Sequence, residues 1–283
     1  MVGLPPITRS KKVLRRWVIE TLRCLEIKPR KKLSQVFLVD PKPLFLITYA
    51  LREQNVDKVV EIGAGLGTLT TYVAEIAKPQ KILAIEIDWR FVPILSSIQR
   101  EYGQIDIVIG DALNILPSLR GFTTVVGNLP YHITSDLLIA IGRSDIVTAI
   151  VTVQYEVGER LVASPGSENY GKLTVFIRSL FNVEKLAVVP RTAFSPMPEV
   201  DSVILVLRRV RPYDETMSNL EKVTKCLFSY KRKLLYKALL NCLGDTAREC
   251  LTKLGDVDWN RIRVFETEPE LFLKIVRTCV ENQ

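Results

Sequence analysis

Histidine is almost missing from this chain: of 283 residues only His132 carries an imidazole. A zinc centre built on histidine is therefore not expected, and no metal is assigned to the chain. The five cysteines, Cys24, Cys226, Cys242, Cys250 and Cys279, show no Cys-x-x-Cys spacing, so they read first as free, mostly buried thiols, with intracellular disulfides of the kind found in hyperthermophiles as the alternative. No apolar run reaches the length of a membrane span, and the N-terminus lacks the uninterrupted hydrophobic stretch of a secretory signal. The expectation is a soluble, cytoplasmic protein with no membrane partner. Internal repeats and low-complexity tracts are also missing. What remains is a chain that is 47% hydrophobic, enough for a full core and one additional small domain.

Acidic residues are scarce in one region only. Residues 9–32 hold ten Lys or Arg against Glu20 and Glu26, a surplus of eight that equals the whole net charge of +8. Within it Leu14, Trp17, Val18, Leu22 and Leu25 recur at helical spacing, while Lys11, Lys12, Arg15, Arg16 and Arg23 take other faces. A docked helix with a cationic outer surface follows, and a phosphate backbone is its natural partner. Lys31 and Lys32 extend this surface. A second basic cluster, Lys231-Arg232-Lys233 with Lys237, falls in an apparent helix whose Leu234, Leu235, Ala238 and Leu239 could face a core. Three regions are expected: a basic arm over 1–32, an alternating strand-helix domain over 33–208, and a mainly helical domain over 209–283. Arg208-Arg209-Val210-Arg211-Pro212 marks the second boundary.

The densest chemistry lies at Asn128-Leu129-Pro130-Tyr131. It follows the strand-like run Phe122 to Val126 and precedes the helix-like Ser135 to Leu138, which puts it on a loop at a strand's carboxyl end. An amide, a stiffening proline and an aromatic together suit a planar amine such as adenine. Upstream, the buried-strand pattern Lys58 to Ile62 runs into Gly63-Ala64-Gly65-Leu66-Gly67 and then a helix to Ala77. A strand over Lys81–Ile87 brings Glu86 to where an acid could grip ribose hydroxyls, and a strand over Ile105–Ile109 leads to Gly110-Asp111-Ala112-Leu113. Four consecutive strand ends each carry one functional element.

Glu61-x-Gly63-x-Gly65-x-Gly67, Glu86-x-Asp88, Gly110-Asp111-Ala112-Leu113 and Asn128-Leu129-Pro130-Tyr131 stand in the order used by S-adenosylmethionine-dependent adenine N6-methyltransferases. Gln35-Val36-Phe37-Leu38, the segment from Pro165 through Tyr170-Gly171-Lys172-Leu173, and Phe194 to Ser202 further resemble motifs of the small-subunit rRNA adenine dimethyltransferases. The resemblance covers about residues 28–280. Departures are Ser34, where the family usually has Gly, Val36, where a polar residue is common, and His132, where Asn often follows the Tyr.

The resemblance implies an α/β, Rossmann-like class I methyltransferase domain with a seven-stranded mixed sheet, in which Val183–Val189 and Asp201–Leu207 are the last two strands. It implies S-adenosyl-L-methionine as cofactor, with Glu86 on the ribose, Asp111 on the adenine amino group and Ala112 against the ring. Gly63 and Gly65 would lie beside the methionine portion, Gln35 and Leu38 would close the near side, and Glu61 either touches the ligand or holds the glycine turn. Asn128 with a carbonyl of Leu129 or Pro130 would orient the target amine, and Tyr131 and Phe194 would sandwich the base; Phe194 could instead belong to the core, but the rigid turn held by Pro196 and Pro198 is expected to expose it. The implied partners are small-subunit rRNA and the partly assembled small subunit, met by a monomer. A ribosome-assembly or transcription factor that keeps the fold, and an adenine methyltransferase of large-subunit rRNA or DNA, remain the alternatives at this point.

Overall fold

The computed structural model of the protein describes residues 3–244, 246–254 and 261–281. The chain begins with α1 (Lys11–Cys24), β1 (Phe37–Leu38), α2 (Pro41–Glu53), β2 (Lys58–Ile62), α3 (Thr68–Tyr72), β3 (Lys81–Glu86) and α4 (Val92–Glu101). It continues with β4 (Ile105–Ile109), α5 (Ala112–Ile115), β5 (Thr124–Asn128), α6 (Thr134–Arg143), β6 (Thr148–Gln154) and α7 (Tyr155–Leu161). Then come α8 (Lys172–Leu180), β7 (Phe181–Val189), β8 (Phe194–Ser195), β9 (Ser202–Arg209), α9 (Glu215–Leu227), α10 (Leu235–Leu243), α11 (Thr246–Lys253) and α12 (Pro269–Cys279). They group into two compact units, one of residues 1–158 with 184–208, the other of 159–183 with 209–283.

The first unit is organised by a seven-stranded sheet in the order β4-β3-β2-β5-β6-β9-β7. Strands β2 to β6 run parallel, and β9 enters antiparallel to β6. Val59, Val60, Ile82, Ala84, Val125, Val126, Ala149 and Ile150 are all buried, as expected of a parallel sheet covered on both faces. From β2 the chain winds outward through β3 and β4, then returns to place β5 on the other side of β2. The crevice between the carboxyl ends of β2 and β5 is thus the topological switch point, where such sheets bind ligands.

Strand β5 runs two residues past the expected end at Val126. A Cβ at Gly127 would stand 2.6 Å from the Ile62 carbonyl oxygen. Its hydrogen side chain therefore lets β5 close on β2, and the ladder continues through Gly127↔Val151 and Asn128↔Thr152. Asn128 is consequently the last residue of a strand, held by neighbours, instead of a loop residue.

Helix α1 is capped by Ser10, whose hydroxyl accepts from the Val13 N–H, and buries Leu14, Val18 and Thr21. Leu14 and Val18 belong to the same core as Leu44, Ile47 and Phe91, with Trp17 packed at its margin. Its outer face carries exposed Lys12, Arg15 and Arg16, and Arg16 pairs with Glu20 at 2.7 Å.

The second unit packs α8 to α12 around Leu220, Leu227, Leu235, Leu239, Phe272 and Val276. The expectation of free thiols is corrected here: Cys226 of α9 pairs with Cys242 of α10, and Cys250 of α11 with Cys279 of α12. Their Cα atoms are 6.0 and 5.1 Å apart, distances that only helix packing creates and that sequence spacing does not display. Cys24 is the free cysteine among the described residues, and it is exposed. A second correction concerns Lys231, Arg232 and Lys233, which lie in the turn before α10 and not in the helix. There Leu235 N–H donates to Ile262 and Val264 N–H to Lys233, so the backbone pairs with residues 262–264 before helical bonding begins.

Candidate functional site

Sequence and packing first create an acidic floor. After β2 the chain turns through Gly63 and Gly65 with φ of +77° and +55°, values at which a Cβ would be strained. The Gly65 N–H points at the end of β3 and donates to Glu86 Oε2 at 2.7 Å, while Glu86 Oε1 accepts from Asp88 N–H at 2.8 Å. Burial pushes the Glu86 carboxyl above its ordinary value, and these N–H donors oppose the shift. Glu61 is 1% exposed, and its Oε2 has no hydrogen-bond partner among the described residues. Burial pushes its carboxyl up to about 7, opposed by Thr70 and reinforced by the charge of Glu86.

The near wall is a loop tied down by charge. Gln35 donates through Nε2 to Asp88 Oδ2 at 2.8 Å and accepts from Arg30 N–H at 2.8 Å. Arg90 grips Asp88 at 2.5–3.1 Å and donates to the Lys28 carbonyl at 3.2 Å. The Arg90 guanidinium holds the Asp88 carboxyl down at about 2 against the effect of burial. Ser34, with φ of 48° at the position where glycine was expected, shares a 3.0 Å hydrogen bond with His132 Nδ1. His132 is exposed, and it joins the two loops that face each other across the cleft.

The far wall is formed by Asn128, Pro130, Ile133 and Leu137, and Leu129 and Tyr131 of the same segment stand behind that lining. Asn128 Nδ2 donates to the Val36 carbonyl at 3.2 Å, and its Oδ1 is buried without a partner among the described residues. Leu129 is buried, and its N–H donates to Thr152. The Pro130 carbonyl accepts from Ile133 N–H and Thr134 Oγ1, so it forms the start of α6. The half-buried Tyr131 is fixed by a 2.7 Å bond between its hydroxyl and Ser202 Oγ. Burial pushes its phenol up, while the Ser202 hydrogen bond opposes that.

Gln35, Gly63, Gly65, Glu86, Asp111, Ala112, Asn128 and Pro130 line one cleft, so eight residues chosen from sequence do converge. Leu38 and Glu61 line an adjoining recess shared with Gly63 and Asn128. Asp111 also caps α5, accepting from Leu113 N–H at 2.9 Å. Phe194 is not presented to solvent: it is 3% exposed, paired with Leu38 across the β1–β8 ladder and part of the core. The expectation that Pro196 and Pro198 would expose it is corrected by that ladder. Lys31 and Lys32 form the short helical turn next to Leu33 of the cleft. Lys11, Lys12, Arg15 and Arg16 lie on α1, with Lys11 3.7 Å from Asp40, and Lys231 Nζ donates to the Glu168 carbonyl. Ile85 and Ile87, unmarked in the sequence reading, also line the cleft; their signal was strand β3 itself, whose end frames Glu86.

A switch-point cleft with a glycine turn after β2, an acid ending β3, Asp111 after β4 and an Asn-Leu-Pro-Tyr segment ending β5 defines a class I S-adenosylmethionine-dependent methyltransferase that acts on adenine. Residues 27–279 match the ribosomal RNA adenine dimethylase family, and the chain belongs to it. A probable ribosomal RNA small subunit methyltransferase A of Pyrobaculum islandicum is 40% identical over 221 residues, covering 77% of this chain and 88% of that protein. The Pyrococcus furiosus protein of the same name is 35% identical over 248 residues, covering 86% and 89%. Among solved structures, a dimethyladenosine transferase from Plasmodium falciparum superposes with a TM-score of 0.73 at 27% identity, covering 84% of this chain and 95% of that one. The 23S rRNA methyltransferase ErmE superposes with a TM-score of 0.64 at 27% identity, covering 87% and 100%.

Proposed function

We propose that this enzyme dimethylates N6 of two adjacent adenosines near the 3′ end of small-subunit rRNA. It works in the cytoplasm, as a monomer off the ribosome, on a partly assembled small subunit. The observation that carries the reading is Asn128, whose amide is anchored through Nδ2 so that a buried, unpaired oxygen is held ready for a donor the protein itself does not supply. An adenine amino group is such a donor. The small-subunit assignment is supported by the names of the Pyrobaculum and Pyrococcus relatives.

The cleft fits S-adenosyl-L-methionine. The unpaired Glu61 Oε2 and the acidic floor suit a cation, and Gly63 and Gly65 keep the turn free of side chains. Glu86 is assigned to the ribose hydroxyls, Asp111 to the adenine amino group, Ala112 to the ring, and Gln35 and Leu38 to closure of the near side. When bound, this donor supplies an electrophilic methyl group on a sulfonium. The protein's task is to make a poor nucleophile competent. Asn128 Oδ1 and the Leu129 carbonyl accept the two amino protons of the target, draw its nitrogen toward tetrahedral geometry and aim the lone pair. The Pro130 carbonyl is already committed to α6, which favours Leu129 for this role. The proton leaves through these contacts or water, so no strong base is required. Tyr131, its hydroxyl fixed by Ser202, is assigned to the face of the base, while the buried Phe194 belongs to the core.

A second transfer needs room for the first methyl. Of the small residues at the strand ends, Gly127 is closed by the Ile62 carbonyl and Gly110 is narrowed by Ile115, at 3.1 Å from where a Cβ would stand, which leaves Ala112 in the cleft to give that room. Lys12 and Arg15 of α1, with Lys11, Arg16, Lys31, Lys32 and the Lys231-Arg232-Lys233 turn, are assigned to RNA phosphates. The test is to offer labelled donor with partly assembled small subunits, naked small-subunit rRNA, large-subunit rRNA and duplex DNA. Preference for the assembling small subunit supports the reading; preference for large-subunit rRNA or DNA would replace it.

A further inference from the structure

The segment just outside the cleft holds an aromatic that the chemistry described above does not use. Trp89 is 68% exposed, the most exposed large apolar side chain among the described residues. It stands between Asp88 and Arg90, and both are fixed: Asp88 is 1% exposed and bound by Gln35 and Arg90, while Arg90 reaches the Lys28 carbonyl. The backbone under the indole is therefore rigid although the indole is in water. Ile87, 49% exposed, leads from Trp89 into the cleft it lines, and Ile109, 40% exposed, ends the neighbouring strand, with Ile109 registered against Glu86.

The other side of this patch is cationic. The Arg30 guanidinium lies 3.9 Å from Asp88, and the loop it begins carries Lys31 and Lys32, both exposed and without an ion pair among the described residues; Lys28 is exposed as well. A solvent-facing indole on a rigid turn, with exposed lysines on the adjoining loop that Arg30 and Arg90 tie to it as a cationic rim, has the make-up of a site for a single nucleic acid strand: cations track the backbone and the ring takes the face of a base. An apolar protein partner would be poorly matched by that rim.

We propose that Trp89 stacks on a base flanking the target adenosine and so fixes where the strand enters the cleft. The inference rests on the RNA-methyltransferase reading and adds a binding residue to it. It makes Trp89 a determinant of substrate positioning, outside the donor pocket.

The experiment measures anisotropy of a labelled single-stranded RNA bearing the two target adenosines, and of copies in which one flanking nucleotide at a time is abasic. Methyl transfer to the intact strand is followed in parallel. Wild-type protein should lose affinity for one abasic copy, and Trp89→Ala should bind the intact strand about five- to 150-fold more weakly, the span that stacking of one base provides. For that abasic copy the two proteins should bind alike. Trp89→Phe should recover most of the affinity, KM for RNA should rise in Trp89→Ala with kcat kept, and donor affinity and melting temperature should not move. Equal affinity of Trp89→Ala and wild type for the intact strand, or equal sensitivity of both proteins to every abasic position, would overturn the proposal. So would a loss seen only with assembled subunits, which would make the patch a protein contact. In each of these cases wild-type transfer to the partly assembled small subunit separates failure of this inference from failure of the functional reading.

Discussion

Asn128→Ala should slow catalysis by about 10²–10³ without weakening the fold. The side chain makes one hydrogen bond, a 3.2 Å contact to the Val36 carbonyl, whose net contribution is about 0.5–1.5 kcal/mol. Against it stands the buried Oδ1 without a partner, a desolvation cost of about 1–3 kcal/mol that alanine removes. The two nearly cancel, and the balance tips toward a small gain, so the melting temperature should stay level or rise by a few degrees. Activity should behave oppositely. Removing one preorganised group that acts on the reacting centre typically lowers kcat by about 10²–10³, and Asn128 has that position here. Single-turnover methyl transfer at saturating donor and RNA reads the loss, calorimetry reads donor affinity, and a thermal melt reads stability. Turnover within about tenfold of wild type, or a clear fall in melting temperature with transfer reduced only in proportion, would refute the reasoning, because Asn128 would then be a structural amide.

Glu61 makes stability depend on pH. Its folded value of about 7 lies above the ordinary 4.5, so its contribution is fully present below pH 4.5 and is lost as pH rises toward and through 7. The loss is at most on the order of 3 kcal/mol, Glu61→Gln should flatten it in urea melts, and an identical pH profile in both proteins would contradict it. Gly127→Ala forces a methyl to within 2.6 Å of the Ile62 carbonyl oxygen and should destabilise by about 1–3 kcal/mol while lowering activity through displacement of Asn128; an unchanged melt would refute the close-approach argument. Reduction of the cystine closing 16 residues between Cys226 and Cys242 should cost about 3 kcal/mol by loop entropy, read as a lower melting temperature in dithiothreitol; a Cys226→Ser, Cys242→Ser protein should lose part of that sensitivity. Because α1 is packed through Leu14 and Val18, its charge is better tested by Lys12→Gln with Arg15→Gln than by deletion. The pair should reduce the salt slope of RNA binding by about 1–2 units, and an unaltered slope would remove α1 from the RNA surface.

Much of the site was legible because its parts are strand ends, and strand ends announce themselves: a β-branched run such as Lys58 to Ile62 stops at glycine, and the next residues carry function. Gly63, Glu86, Asp111 and Asn128 fall together because a parallel sheet aligns its carboxyl ends. What stayed hidden depends on pairing between distant segments. Nothing near Phe194 in sequence says that it pairs with Leu38, and no local pattern distinguishes a glycine that turns the chain from one, Gly127, that lets two strands meet. The cystines belong to the same class, since their partners are set by how four helices pack. The clamp of Asp88 by Gln35 and Arg90 was foreshadowed only by the Glu86-x-Asp88 spacing, and the orphaned oxygens of Glu61 and Asn128 required coordinates.

The central claim is that an anchored Asn128 in this cleft carries adenosines of small-subunit rRNA to the dimethylated state. Its most direct test is mass spectrometry of nucleosides from partly assembled small subunits after exhaustive reaction with isotopically labelled S-adenosyl-L-methionine. N6,N6-dimethyladenosine at two adjacent positions and four labelled methyl groups per RNA are expected, with only a trace of label from Asn128→Ala at the moment the wild-type reaction completes. Monomethyladenosine as the sole end product of the wild type, or full labelling by the variant in that same time, would contradict it.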